Sequence, residues 1–292
     1  MTKIKLTYKT IITLMIGISL LTGSCTQQNP ETELYRPVNY IVLLDLSDRI
    51  LVRHVTETDQ LLIQTVFQSF VGCVRQNLTV RSVDKLKVRI MPQKGSTLDL
   101  YSYENRLSID MSALDVSMKN NALVNFDKQL ATSLASLYRE AYQGPATGNY
   151  FGCDIWKYFN EQLRTDLEHG YINYVIILTD GYFDFENSAH ALRKGNRFTS
   201  SDFYAGLSSL DWQVAAAERD FGLIPIDLKQ PVHCLVCGLN SKKEQLTELE
   251  KLGYFWKKWM LESHADTCIL IPFSSSEKMK HELVKQIKTV KK

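Results

Sequence analysis

"YIVLLDLSDRI", residues 40–50, opens as a run of apolar β-forming side chains and closes on Asp45, Ser47, Asp48 and Arg49. Over residues 38–45 the run is continuous rather than alternating, the pattern of a strand covered on both faces in a parallel sheet. "YINYVIILTDG", residues 171–181, repeats the form and also ends on an acid, Asp180. "PVHCLVCG" (231–238) and "TCILIPF" (267–273) add two more core strands, and "KLKVRIMP" (85–92) a strand of strict alternation.

Helical stripes lie between these strands. Leu62, Val66 and Phe70 mark the first; Leu123, Leu130 and Leu137 the second; Ile155, Phe159 and Leu163 the third. Leu252, Trp256 and Trp259 mark the fourth, and Met279, Leu283 and Ile287 the last. "LDLYSY" (98–103) with "RLSID" (106–110) reads as an edge strand or hairpin. Strands alternating with helices predict an α/β fold, a doubly wound, mostly parallel sheet with helices on both faces. In such sheets ligands sit beyond the carboxyl ends of the strands, where strand order reverses. Asp45 and Asp180 both stand at carboxyl ends, and two acids there repel unless a cation, a proton or hydrogen-bond donors lie between them.

The start of the chain has a different character. Lys3, Lys5 and Lys9 precede an apolar core at residues 11–21, too short for the ~20 residues of a membrane-spanning helix. Residues 1–24 are therefore expected to be a secretory signal. The "LTGSC" that follows resembles a bacterial lipoprotein lipobox, with Thr22 where that pattern usually has Leu. The resemblance implies a lipidated mature N-terminus at Cys25, a polar tether over residues 25–37, and export to a membrane; Thr26 after the cysteine implies the outer one.

Loss of residues 1–24 removes three of the 34 lysines and arginines, leaving 31 against 32 acids, so the formal charge falls from +2 to −1. A nucleic-acid binder needs a clustered basic excess, and none remains. With 45 % hydrophobic residues the rest of the chain can bury a core of ordinary size. Five cysteines remain besides Cys25, too few and too scattered for a disulfide framework.

"DLSDR" after the first strand and "ILTDG" at the later one resemble the von Willebrand factor A domain family, and the order of elements from residue 38 to 292 agrees with it, with an insertion at about residues 182–222. Members of that family hold Mg²⁺ or Mn²⁺ in a metal-ion-dependent adhesion site, and an acidic group from a partner protein completes the coordination. The resemblance places Asp45 and Ser47 on the first loop and Asp180 on the third. Arg49 stands where a second Ser is usual, and "GCDIW" puts Cys153, followed by Asp154, where a Thr is usual; Thr147 is a substitute six residues earlier. A guanidinium has no acceptor and cannot ligate a cation, and a thiol is too soft for Mg²⁺. The site is thus expected to be degenerate, with either no cofactor or one divalent cation. If Arg49 points inward, its fork can pair with Asp45 or Asp180 in place of an ion. If it points to solvent, Ser47, Asp48, Asp184 and Glu186 offer oxygens to a modified ion site.

Tyr182, Asp184 and Glu186 begin a long aromatic stretch beside these loops, which reads either as a recognition loop or as an insertion packing its rings on the domain. Cys234 and Cys237 sit three apart on a strand and so point to opposite faces, as core fillers rather than a redox pair. The six histidines show no metal spacing. Neither a nucleophile elbow nor a phosphate-binding glycine loop is present. The expectation is a non-enzymatic, lipid-anchored envelope protein that binds a protein partner through the loops at its strand ends. A metal-dependent phosphohydrolase of haloacid-dehalogenase type is the alternative from another class, although it needs an acid where Ser47 stands; a purely structural envelope component is the third.

Overall fold

Val38–Leu44 (β1) is buried at every position, as its apolar run from Tyr40 requires, and Asn39 is buried with its side-chain amide donating to Asn173 and the Asp166 carbonyl. The computed structural model describes residues 35–91, 96–150, 152–183, 185, 191–207, 211–242 and 246–290. The expected signal, Cys25, Asp184 and Glu186 lie outside those residues. Residues Arg36–Lys292 form one unit.

The main sheet contains β1, Lys85–Ile90 (β2), Ile109–Asp110 (β3), Ile172–Leu178 (β4), His233–Leu239 (β8) and Thr267–Pro272 (β9). Their order is β3-β2-β1-β4-β8-β9, and every pairing is parallel except β2 with β3. Counted along the sheet's own strands this is the 3-2-1-4-5-6 order of doubly wound, Rossmann-like folds, with the reversal between β1 and β4. Leu44 lies opposite Leu178 in that central pair, so β1 and β4 end level with each other.

The sheet is covered on both sides. Tyr40, Val42, Leu44, Tyr174 and Ile176 pack under helices Val55–Gln76 (α1), Lys119–Ala141 (α2) and Ser276–Val290. Ile41, Leu43, Val175 and Ile177, one residue out of phase, face Ile155, Phe159 and Leu163 together with helix Leu246–Glu262. Cys237 joins the first core and Cys234 the second, on opposite faces as the spacing requires. No disulfide joins the described cysteines.

β2 shows why its sequence alternates. Leu86, Val88 and Ile90 are buried, while Lys85 and Arg89 reach Glu168 and Asp166 across the sheet's other face. One expectation is corrected next to it. Leu100–Arg106 is a helix, begun by the Asp99 carboxylate accepting from the Ser102 amide at 3.0 Å, and only Ile109–Asp110 pairs as a strand. The cap satisfies a helical amide and so outweighs the local alternation.

Arg193–Lys194 (β5), Arg197–Phe198 (β6) and Gly222–Leu223 (β7) form a small sheet within the expected insertion. Its described aromatics turn inward. Phe183 lies 4.5 Å from Trp256 and Phe203 4.6 Å from Phe255, ring centre to ring centre. Trp256 and Trp259 are fully buried. No helix of the described residues is long and apolar enough to cross a membrane.

Candidate functional site: a cleft at the strand reversal

β1 and β4 end level, so the residues just past them meet. The Asp45 amide donates to the Leu178 carbonyl at 3.1 Å, which carries the pairing one residue beyond the strands. The Asp45 carboxylate is then fixed by two donors. Its Oδ1 accepts from the Ser47 amide at 2.9 Å, and its Oδ2 from the Thr179 hydroxyl at 2.7 Å. The same Thr179 oxygen accepts from the Gly181 amide at 3.1 Å, so the two loops close on each other through one hydroxyl.

Asp180 follows at once. Its Oδ1 accepts from the Tyr182 amide at 3.3 Å; its Oδ2 takes no hydrogen bond among the described residues and faces the Lys242 ammonium at 3.9 Å. Only 7 % of the residue is exposed. Burial, and after it the charge of Asp45, raise the Asp180 carboxyl to about 7, against a smaller opposing pull from Lys242. The two acids expected to meet at the rim are thus electrostatically coupled.

Arg49 points inward, and its partner differs from the expected one. Its guanidinium is 3 % exposed and grips the carboxylate of Asp59 on α1, Nη1 to Oδ2 at 2.7 Å and Nη2 to Oδ1 at 3.0 Å. Nη1 also donates to the Asp45 carbonyl at 3.1 Å, so Arg49 touches the backbone of Asp45 and neither rim carboxylate. The Tyr138 hydroxyl donates to Asp59 Oδ2 at 2.8 Å. Burial weighs against the charge on Arg49, yet Asp59, with help from Asp45, holds its pKa above the ordinary value. The fork pairs with Asp59 because that acid is already buried, at 2 % exposure, and would otherwise stand uncompensated.

The other candidates separate into groups. Asp48 donates no structure to the core; its carboxylate accepts from Lys242 Nζ at 3.1 Å. Thr147 is exposed on the turn Thr147–Asn149 and stands on the wall of the same cleft. Cys153 is buried, and burial followed by the charges of Asp45 and Asp154 pushes its thiol well up, so it is protonated. Asp154 caps the helix that begins at Ile155, accepting from the Lys157 amide at 2.9 Å. Tyr182 is 8 % exposed, which agrees with the packed-insertion alternative for this residue; its hydroxyl accepts from the Lys242 amide at 3.1 Å and its ring lies 5.0 Å from the Lys242 ammonium.

Of these residues, Asp48, Arg49, Thr147, Asp180 and Lys242 line a cleft of about 400 Å³. Asp59, Tyr138, Thr179 and Lys242 were not among the sequence candidates. Asp59 had a readable signal: it continues the stripe of Leu62, Val66 and Phe70 toward the N-terminus, an acid in a buried phase.

The residues present do not fit the divalent ion that the family resemblance implies. Mg²⁺ needs near-octahedral oxygen ligands. Both Asp45 oxygens are occupied by protein donors, Lys242 stands against Asp180, and Arg49 fills the place of a ligating hydroxyl. No group of three or more His, Cys, Asp or Glu side chains among the described residues is placed to hold a metal. Compared with known proteins, the chain matches no family model and no curated protein.

Proposed function

We propose that this protein is a lipid-anchored, exported binding module, similar to a von Willebrand factor A domain, that engages a protein partner without an ion and without catalysis. The observation that carries the reading is the cleft itself. It lies at the carboxyl ends of β1, β4 and β8, beside the one reversal of strand order, which is where doubly wound sheets take their ligands. Arg49 on its wall is held by Asp59 and Asp180 by the Tyr182 amide, and the loops beneath are closed by the Asp45–Thr179 bonds, so the surface is preorganised. Asp45, the strand-end acid that a phosphohydrolase would use as nucleophile, is 2 % exposed and does not line the cleft, which favours binding over phosphoryl transfer.

The test is site-specific photo-crosslinking in cells from position 147 on the cleft and from position 127, an exposed residue of α2 that does not line it. A discrete adduct from 147 alone, lost on Asp180→Asn, is expected. Adducts only from 127 would overturn the reading. Lipid anchoring is read separately, by incorporation of a labelled fatty acid that Cys25→Ala abolishes.

A further inference from the structure

Two cysteines face each other near the edge of the main sheet. β8 and β9 are parallel neighbours, and their register sets Cys234 opposite Cys268. Both side chains belong to the same face, that of Val236 and Leu270, under helix Leu246–Glu262. The Cys234 thiol shares a hydrogen bond with Cys268, and that bond, followed by burial, pushes its pKa well up. The Cys268 thiol also reaches the Trp256 carbonyl of the covering helix, at 3.9 Å.

The spacing suits a covalent bond. Adjacent strands lie roughly 4.8 Å apart, inside the range of about 4.4–6.8 Å that disulfides span between Cα atoms. The Cβ atoms must close to about 3.8 Å. β9 can give that movement, because it is the last strand of the sheet and pairs on one side alone among the described residues. Access is one-sided too: Cys234 is fully buried, whereas Cys268 is part-exposed. The other described thiols stand apart from this pair. Cys73 and Cys237 lie in the core on the sheet's other face, and Cys153 lies near Asp45 and Asp154 by the carboxyl ends of the strands, whereas Cys234 is the second residue of β8.

We propose that Cys234 and Cys268 are a disulfide-forming pair, closed by thiol–disulfide exchange with a disulfide oxidant of the compartment to which the chain is exported. Its occupancy in the cell rests on the export in the reading above; the pairing of the thiols does not. The part-exposed Cys268 reacts first. Deprotonated to the thiolate, it attacks one sulfur of the oxidant and expels the other as a thiolate, which leaves a mixed disulfide at Cys268. Cys234 then loses its proton and attacks Cys268 Sγ, breaking the mixed disulfide and expelling the second thiolate. Two cysteine thiols are oxidised, one oxidant disulfide is reduced, and the two protons end on the released thiols. The bond ties β9, and helix Ser276–Val290 after it, to β8, and such bonds persist in oxidising compartments.

The probe is glutathione disulfide, added in excess to the reduced full chain in neutral detergent under native conditions. After an acid quench the protein is unfolded, the remaining thiols are alkylated, and proteolytic peptides are mapped by mass spectrometry. A peptide pair joined through Cys234 and Cys268 is expected, with Cys73, Cys153 and Cys237 alkylated. Cys234→Ala should stop the reaction at a glutathione adduct on Cys268, and Cys268→Ala should leave Cys234 as a thiol. Both cysteines alkylated in the wild-type map, a different linked pair, or an adduct on Cys268 that never passes to Cys234 would each overturn the proposal. The wild-type map requires no variant to fold. The same map from cells quenched directly in acid separates the two readings. A joined pair there supports export as well; a pair that joins in vitro and is reduced in cells leaves the thiol pairing standing and counts against export into an oxidising compartment.

Discussion

Arg49 places two guanidinium nitrogens on the carboxylate of Asp59, at 2.7 and 3.0 Å, and both side chains are 3 % exposed. The pair joins the loop after β1 to the first turns of α1. A third bond runs from Arg49 to the Asp45 carbonyl, so the strand end, the loop and the helix share one buried charge. The Tyr138 hydroxyl extends the network to α2.

Breaking one side of this pair strands the other. Asp59→Ala is expected to cost about 3–5 kcal/mol in urea denaturation, because a buried guanidinium loses its counter-charge. Arg49→Met combined with Asp59→Leu should cost much less than the two single changes added together, since no charge is then left buried. Tyr138→Phe removes one donor from Asp59 and should cost about 1 kcal/mol. Additive single and double variants would show that the pair carries no coupling.

Much of this arrangement was legible beforehand, for physical reasons that differ by residue. The doubly wound sheet follows from unbroken apolar runs such as residues 40–44 and 174–178, which bury both faces. Asp45 and Asp180 were legible as strand-end acids, and their meeting follows from the register of Leu44 with Leu178. The partner of Arg49 was missed because it comes from helix phase, not from a loop motif: Asp59 is polar in a stripe of apolar positions. Lys242 was missed because nothing in local sequence brings the loop after β8 to residues 48 and 180. Such tertiary pairs are set by strand order, which periodicity alone does not encode.

The titration of Asp180 gives a pH signature. Its folded-state value, about 7, is raised above that of an unfolded aspartate, so the folded state binds the proton more tightly. Between roughly pH 4 and 7 the folded state holds the proton that the unfolded state has lost, and stability from this group falls as pH rises through that window and levels off above it. Asp180→Asn has no such loss. Relative to wild type, the variant should therefore gain stability from pH 4 to pH 7, by on the order of a few kcal/mol, and no further above that. Parallel urea melts at several pH values measure it, and a constant difference between the two proteins would show that Asp180 titrates normally.

Gly238 tests how closely β8 approaches the network. Its φ is +101°, a conformation that side-chain-bearing residues rarely adopt, and an added Cβ would lie 3.0 Å from the Thr179 carbonyl oxygen and 3.3 Å from Arg49 Nη2. The first contact is with backbone and cannot swing away. Gly238→Ala is expected to destabilise the protein by about 1–3 kcal/mol. It should also weaken the effect of Asp59→Ala when the two are combined, because both disturb Arg49. An unchanged melting temperature in the single variant would place that glycine elsewhere.

Ion dependence follows from who occupies the cleft. A divalent ion present at a hundred times its Kd would add about 2.7 kcal/mol to the folded state, roughly 5–10 °C in Tm for a domain of this size. With Arg49 filling a ligand position and Lys242 set against Asp48 and Asp180, millimolar Mn²⁺ or Mg²⁺ should leave the wild-type Tm unchanged. Removing both cations, in Arg49→Ser with Lys242→Ala, leaves Asp48, Asp59 and Asp180 without their internal counter-charges and places a hydroxyl at position 49. That variant should melt earlier than wild type and regain part of the loss on addition of Mn²⁺, with Asp180→Ala abolishing the gain. A Mn²⁺-dependent rise in the wild-type protein itself, lost on Asp180→Ala, would show that the ion outcompetes Lys242 and that the cleft recognises acids through a metal after all.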